Sequence, residues 1–255
     1  MLAAYLRMKY PHVVAGAIAA SAPIHMYPGM MPCQVFNRIL TSSFHHASHK
    51  CDQNIKKSWS EIRNFSATAN GSDWLQKNWR LCDPVKNATQ VDLLIEFLAS
   101  MYTTLAMVNY PFPSDFLVPL PANPVRVVCQ YLDTDLKGQK LLEAYSADCH
   151  KKYGVYPREN DARLTYGGSL LQAASNIVFS NGLIDPWAAG GVVNGLSESV
   201  QALVIPGAAH HLDLMPASAA DPQPVLEARQ QHKNNINHWI NQYNAKNQAQ
   251  RRWRH

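Results

Sequence analysis

The sequence predicts an α/β fold built on an open, mostly parallel sheet, and three observations predict it. Apolar, strand-like runs at residues 13–21, 176–180 and 201–206 alternate with helical patterns. Polar residues capable of chemistry follow directly after the two later runs, where sites form in open α/β sheets. Hydrophobic residues make up 47% of the 255 positions and charged residues only 16%, which fits a well-filled core and excludes a disordered polyelectrolyte.

Taken in order, residues 1–10 read as an amphipathic helix already under way, with no Ser, Thr, Asp or Asn to cap it. It passes through Pro11 into a buried strand over 13–21. Residues 23–165 form a mostly helical zone rich in Trp, His, Asn and Cys, broken by a proline-studded run over 110–124. Within it, Leu94, Ile95, Leu98, Met101, Leu105 and Met107 recur at helical spacing over 91–108. Trp59, Trp74 and Trp79 read as helix-packing core. Strand–helix alternation then resumes over 166–245, ending in a helix predicted for 224–243. The basic tail, 246–255, is read as a solvated end rather than a nucleic-acid arm. No acid follows Glu227, while Arg229, Lys233, Lys246, Arg251, Arg252 and Arg254 supply +6, which a net −1 over the preceding residues brings to the formal charge of +5. No run of about 18 apolar residues exists, so no membrane span is expected.

Asp185 stands in Asn181-Gly182-Leu183-Ile184-Asp185-Pro186-Trp187, just past one strand. His210 stands in Gly207-Ala208-Ala209-His210-His211-Leu212-Asp213, just past the next. Acid then histidine, each after one of the last two strands, is the second half of a Ser–acid–His order. The acid would hold the imidazole in the right tautomer and the imidazole would take a serine's proton. An Asp-Pro turn beside a surface histidine pair fits the same spacing. Three glycosylation sequons begin at Asn64, Asn70 and Asn87, which points to a secretory route. The five cysteines, Cys33, Cys51, Cys82, Cys129 and Cys149, show no paired spacing for zinc, and their odd number leaves a thiol over. His45, His46 and His49 read as a histidine-rich polar surface. No metal and no cofactor is expected.

The strings MLAAYLRMKYPHVVAGAIAASAPI, TLAMVNYPFPSDFLVPLPANPVRVVCQYL, ASNIVFSNGLIDPWAAGGV and GAAHHLDL resemble the family of lysosomal Pro-X carboxypeptidase and dipeptidyl peptidase II, over nearly the whole chain. That resemblance implies the C-terminal part of an α/β-hydrolase fold, at 1–22 and 166–245, carrying a shortened helical insertion domain at 23–165. It implies a serine exopeptidase acting on peptides next to proline, in the lysosome or secreted. Asp185 would be the triad acid and His210 the triad histidine. Trp187 resembles the aromatic that walls the proline pocket, and Met1 sits where a methionine flanks the nucleophile's loop. His211 and Asp213, next to that histidine in the chain, are read from their position as tuning its activity at acidic pH, with simple loop packing as the alternative. Cys51 and Cys129 resemble a bridged pair, and Cys33, Cys82 and Cys149 would have lost their partners.

Two departures shape the expectation. The family's nucleophile lies in a GGSYGG elbow directly before MLAA, so this chain is expected to be part of a longer protein and inactive alone. Ser169 of Gly167-Gly168-Ser169 is no substitute, because leucines follow it and it precedes a strand. The stretch from Cys129 to Cys149 is also far shorter than the family's helical segment. Pro-X carboxypeptidase-like specificity leads. A dipeptidyl peptidase II-like aminopeptidase is the alternative within the class, and a non-catalytic binding fragment is the alternative outside it. Peptides are the expected partners, with neither nucleic acid nor membrane, and a homodimer is compatible with an open sheet edge.

Overall fold

In the computed structural model, residues 1–27, 29–32, 34–82, 84–132, 166, 171 and 173–252 are described. They divide into two units, Met1–Ile39 with Met107–Ala122 and Arg158–His255, and Leu40–Ala106 with Asn123–Pro157. Cys33, Cys149 and Ser169 lie outside the described residues.

The first unit is α/β. Its opening helix α1 (Leu2–Lys9) buries Ala4, Tyr5 and Arg7. Burial of a guanidinium demands that its donors be satisfied. Arg7 gives Nε and one terminal nitrogen to the carbonyl and hydroxyl of Ser175, both at 2.7 Å, and the other nitrogen to the carbonyls of Pro11 and Val14. These bonds shape residues 11–16 as turns, leaving Val13 73% exposed, so strand β1 (Ala17–Ala20) is shorter than its apolar run. β2 (Ile177–Gly182) and β3 (Val200–Ile205) complete a parallel sheet in the order β1-β2-β3. Ala17 pairs with Ile177 and Ile177 with Val200. Every residue of β2 is buried, which is why its sequence shows no polar alternation.

One apolar cluster gathers Tyr5, Ile24, Ile177, Phe179 and Val200, with Met1 and Met8 packed against it. A second gathers Tyr110, Ile205, Leu212, Val225 and Ala228. The last helix, α7 (Gln223–Arg252), turns Val225, Ala228, His232, Asn235 and Trp239 inward at helical spacing. Gly16 is needed beneath it, because a Cβ there would enter the Trp239 ring.

The second unit is helical. α2 (Val35–Ala47) crosses the division between the units and is followed by α3 (His49–Ser66), α4 (Ala69–Asn78), α5 (Ala88–Met107) and α6 (Pro124–Leu132). Thr68 caps α4 by accepting the Gly71 N–H at 3.0 Å, and Asn87 accepts the Gln90 N–H ahead of α5. The Cys51–Cys129 disulfide links α3 to α6 within a core that includes Phe44 and Val125. An Arg63–Asp92 ion pair at 2.9 Å links α3 to α5. Cys82 is a free, exposed thiol. The tryptophan expectation needs correction. Trp59 packs against a core cluster, but Trp74 and Trp79 are 48% and 41% exposed, because α4 turns Gly71 and Leu75 inward instead. No described helix is long and apolar enough to cross a membrane.

Candidate active site

The acid is positioned by helix-capping chemistry. Beyond the end of β2, Asp185 is the N-cap of a short 3-10 helix, Pro186–Gly190, with proline at the first position, where a missing N–H costs nothing. Its Oδ1 accepts the Trp187 N–H at 3.1 Å. That leaves Oδ2 to face His210 Nδ1 at 2.9 Å. The Asp185 side chain is fully buried, while the His210 side chain keeps 18% exposure. Oδ2 accepts Nδ1–H in this arrangement, which fixes the tautomer that leaves Nε2 a lone pair. Among the described residues, no hydrogen-bond partner meets Nε2.

Two small features let the acid loop and the histidine loop meet. At Gly182, the last residue of β2, a Cβ would overlap the carbonyl oxygen of Ala208, so the histidine loop passes over the strand end only because residue 182 is glycine. At Gly191 a Cβ would overlap the amide of Asn181, whose Nδ2–H holds the carbonyl of Val192 at 2.9 Å.

The histidine loop is pinned by its backbone. The His210 N–H donates to the carbonyl of Met107 at 3.0 Å, and its own carbonyl accepts the Tyr110 hydroxyl at 3.1 Å. Burial, and then the negative charge of Asp185, push the Tyr110 phenol up to about 12. His211 adopts a left-handed conformation (φ 38°) and gives its N–H to Ser21 Oγ at 2.8 Å. Its ring lies edge-on to Phe116 and 4.7 Å from the His210 ring. Burial, and then the His210 charge, lower the His211 pKa.

Asp213 points into the core. One of its oxygens, Oδ2, takes both the Ser180 hydroxyl and His232 Nε2, each at 2.7 Å. Burial alone would raise this carboxyl, but the His232 and Ser180 hydrogen bonds overcome it and hold it below the usual carboxylate range. The turn carrying it is clamped by Arg229, which donates to the carbonyls of Leu212, Asp213 and Met215 and pairs with Asp221 at 2.7 Å.

Trp187 stands beside the pair. Its ring is 6.4 Å from the His210 ring and edge-on to Phe36 at 5.4 Å, and its Nε1–H points at the Met107 sulfur at 2.9 Å. Met1 packs against the cluster that includes Tyr5 and Ala19. Asn64, Asn70 and Asn87 are all exposed in the second unit. Motif and spacing single out none of Phe36, Tyr110 and Ser21, and mark Met107 only as an apolar helix position. Met107 and Tyr110 do lie in the TLAMVNYPF string, which was the available signal. Among the described residues, the group of three side chains spaced to hold a metal ion is His45, His49 and Asp52, which belongs to the second unit.

A buried carboxylate orienting a partly open imidazole is the arrangement that accepts a proton from a nucleophile and returns it to a leaving group. The profile of the family described as serine carboxypeptidase S28 matches residues 1–151 and 142–232. The chain is 33% identical to a lysosomal Pro-X carboxypeptidase of Bos taurus, covering 95% of this chain and 62% of that protein. It is 35% identical to the Mus musculus protein of the same name, covering 94% and 62%. With prolyl carboxy peptidase like protein 5 of Caenorhabditis elegans the identity is 28%, covering 100% and 65%. The chain thus spans less than two thirds of these relatives. The first of these alignments also runs over 307 positions against 255 residues here, so the relative carries segments inside the match that this chain does not.

Proposed function

The chain belongs to the serine carboxypeptidase S28 family, and on that premise we propose that it carries the acid and the base of a Pro-X carboxypeptidase-like serine exopeptidase. The observation that carries this reading is the 2.9 Å contact from buried Asp185 to His210 Nδ1, with no hydrogen-bond partner at Nε2 among the described residues. In the reaction, a serine Oγ attacks the carbonyl carbon of a proline residue while Nε2 takes the hydroxyl proton. The tetrahedral intermediate collapses with cleavage of the C–N bond, and the departing amine takes the proton back from Nε2. Water then repeats the cycle on the acyl-enzyme. Trp187 and Phe36 supply an aromatic wall suited to a pyrrolidine ring.

No serine hydroxyl meets Nε2 among the described residues, which supports the reading that the nucleophile comes from the elbow the family carries just ahead of the MLAA string. On that reading the 255-residue chain alone forms no acyl-enzyme. The same observation also supports a non-catalytic role for the isolated chain. Residues 23–165 act as the insertion domain that selects which peptide terminus is read. Exposed sequons and a disulfide support a lysosomal or secreted setting.

The test has two arms. The purified chain is treated with a fluorophosphonate probe and weighed intact beside His210→Ala. No adduct is expected, and a His210-dependent adduct would place the nucleophile within these residues and overturn that clause. The chain is then joined behind the elbow-bearing segment of a curated relative and offered peptides ending in Pro-Phe or beginning with Lys-Pro. Cleavage of the first, lost in His210→Ala, is expected. Preference for the second would make it a dipeptidyl peptidase, and cleavage of neither would end the peptidase reading.

A further inference from the structure

The corner between α2 and α3 places three metal-ligating atoms at one point. His45 lies in the last turn of α2, Ser48 breaks the helix with extended backbone, and His49 and Asp52 lie in the first turn of α3. His45 Nδ1 is 3.2 Å from Asp52 Oδ1 and 3.2 Å from His49 Nδ1, and His49 Nδ1 is 3.8 Å from Asp52 Oδ1. A tetrahedral ion with bonds of about 2.0–2.1 Å to imidazole nitrogen and carboxylate oxygen spaces its ligands about 3.3–3.4 Å apart. The three observed edges bracket that value. We propose that His45, His49 and Asp52 form a binding site for a divalent transition metal, zinc first among them, with the fourth position left to water.

Further features favour an ion over a plain hydrogen-bonded cluster. A proton on either Nδ1 serves the edges it lies along, whereas a cation serves all three acceptors at once. The adjoining His46 is excluded, because its Nδ1 is turned to the carbonyl of its own helix at Ser42, 2.6 Å away. The α3 turn is also held in place from beneath. Cys51 is buried and bridged to Cys129, and Asn54 Nδ2 donates to the carbonyl of Leu132 at 2.6 Å. Asp52 is 16% exposed and the imidazoles are 49% and 71% exposed, so an ion reaches the site from solvent without rearrangement of the core. The far side of His49 is also attended. The Gln53 amide sits 3.5 Å from its Nε2, where a turned carboxamide oxygen would accept the Nε2–H as the outer partners of metal-bound histidines do. Two imidazoles and one carboxylate suit zinc or copper and are a poor set for calcium or magnesium.

The test uses the untagged 255-residue chain after removal of adventitious metal, titrated with Zn²⁺ by calorimetry and with Co²⁺ by visible absorption. One Zn²⁺ per chain and the intense bands of four-coordinate cobalt are expected. The double variant His45→Gln/His49→Gln, and Asp52→Asn alone, should each weaken Zn²⁺ by at least about tenfold while circular dichroism is unchanged. A control, His12→Gln/His238→Gln, should leave the affinity as it was. Binding weaker than about 100 µM, or binding that survives the double variant, would overturn the proposal.

Discussion

At Asp185 the two carboxylate oxygens have separate tasks. Oδ1 caps the Pro186–Gly190 turn and Oδ2 orients His210. The tasks can be separated by substitution. Asp185→Asn keeps a carbonyl for the cap but presents an N–H to His210 Nδ1, which forces the tautomer whose Nε2 is already protonated. In the elbow-complete protein kcat on a Pro-X peptide should fall by about 10⁴, the size seen when a triad acid becomes an amide. The melting temperature should change little, whereas Asp185→Ala should also lose the cap, about 1 kcal/mol. A fall of less than tenfold in the Asn variant would mean that Asp185 does not orient the base. Gly182 gives a second prediction at this scale. Gly182→Ala drives a methyl into the Ala208 carbonyl and should destabilise the chain by roughly 1–3 kcal/mol in urea unfolding.

Among the elements, β2, the turn after the histidine pair and α7 are tied together at the Asp213 carboxylate. Asp213→Ala strands the Ser180 hydroxyl and one His232 nitrogen in the core, and a loss on the order of 3 kcal/mol is expected from denaturant midpoints. A near-neutral result would show that water replaces the carboxylate. In the helical unit, the Cys51–Cys129 bridge closes a segment with a sequence separation of 78, for which chain entropy gives about 4.5 kcal/mol. Loss of helical circular dichroism should therefore come at clearly lower urea when the protein is reduced. This is also the scale at which the sequence was most readable. The three strands declared themselves as apolar runs because β2 is buried throughout and β3 at both ends. β1 was overcalled because nothing local announces that Arg7 folds residues 11–16 into turns. Trp74 and Trp79 are exposed because an aromatic's hydrophobicity does not decide which face of α4, or of the turn that ends it, the ring occupies. Asp185 and His210 stood out by their places after strands. Phe36 and Tyr110 reach the same site from elsewhere in the chain, with no periodicity to mark them. Asp52 stayed hidden beside His45 and His49 because the helix break at Ser48 destroys any simple spacing.

Over the whole molecule, the titrating groups that burial has displaced set how stability answers to acid. His25 and His211 are both held below the ordinary histidine range. Burial lowers His25, whose Nε2 has no hydrogen-bond partner among the described residues, against an opposing hydrogen bond with the Gly191 backbone, and burial and then His210 lower His211. Unfolding returns both to about 6.5. Between the folded and unfolded values the unfolded chain binds more protons, so stability rises with pH across that window and is withdrawn as pH falls below about 6.5. Asp213 adds a step lower down. Its carboxyl is depressed in the folded state, so its contribution is complete above about pH 3.9 and is lost as pH drops through the folded value. The melting temperature should therefore decline in two stages, the first between pH 7 and 5. His25→Gln/His211→Gln should flatten the first stage and leave the second in place, because a glutamine fills the same space without taking up a proton. A wild-type curve flat from pH 7 to 5 would show that neither histidine is held neutral by the fold. A slope that persists in the double variant would assign the protons to other groups. Acid stability across the first stage therefore rests on two half-buried imidazoles, His25 and His211, and across the second on Asp213.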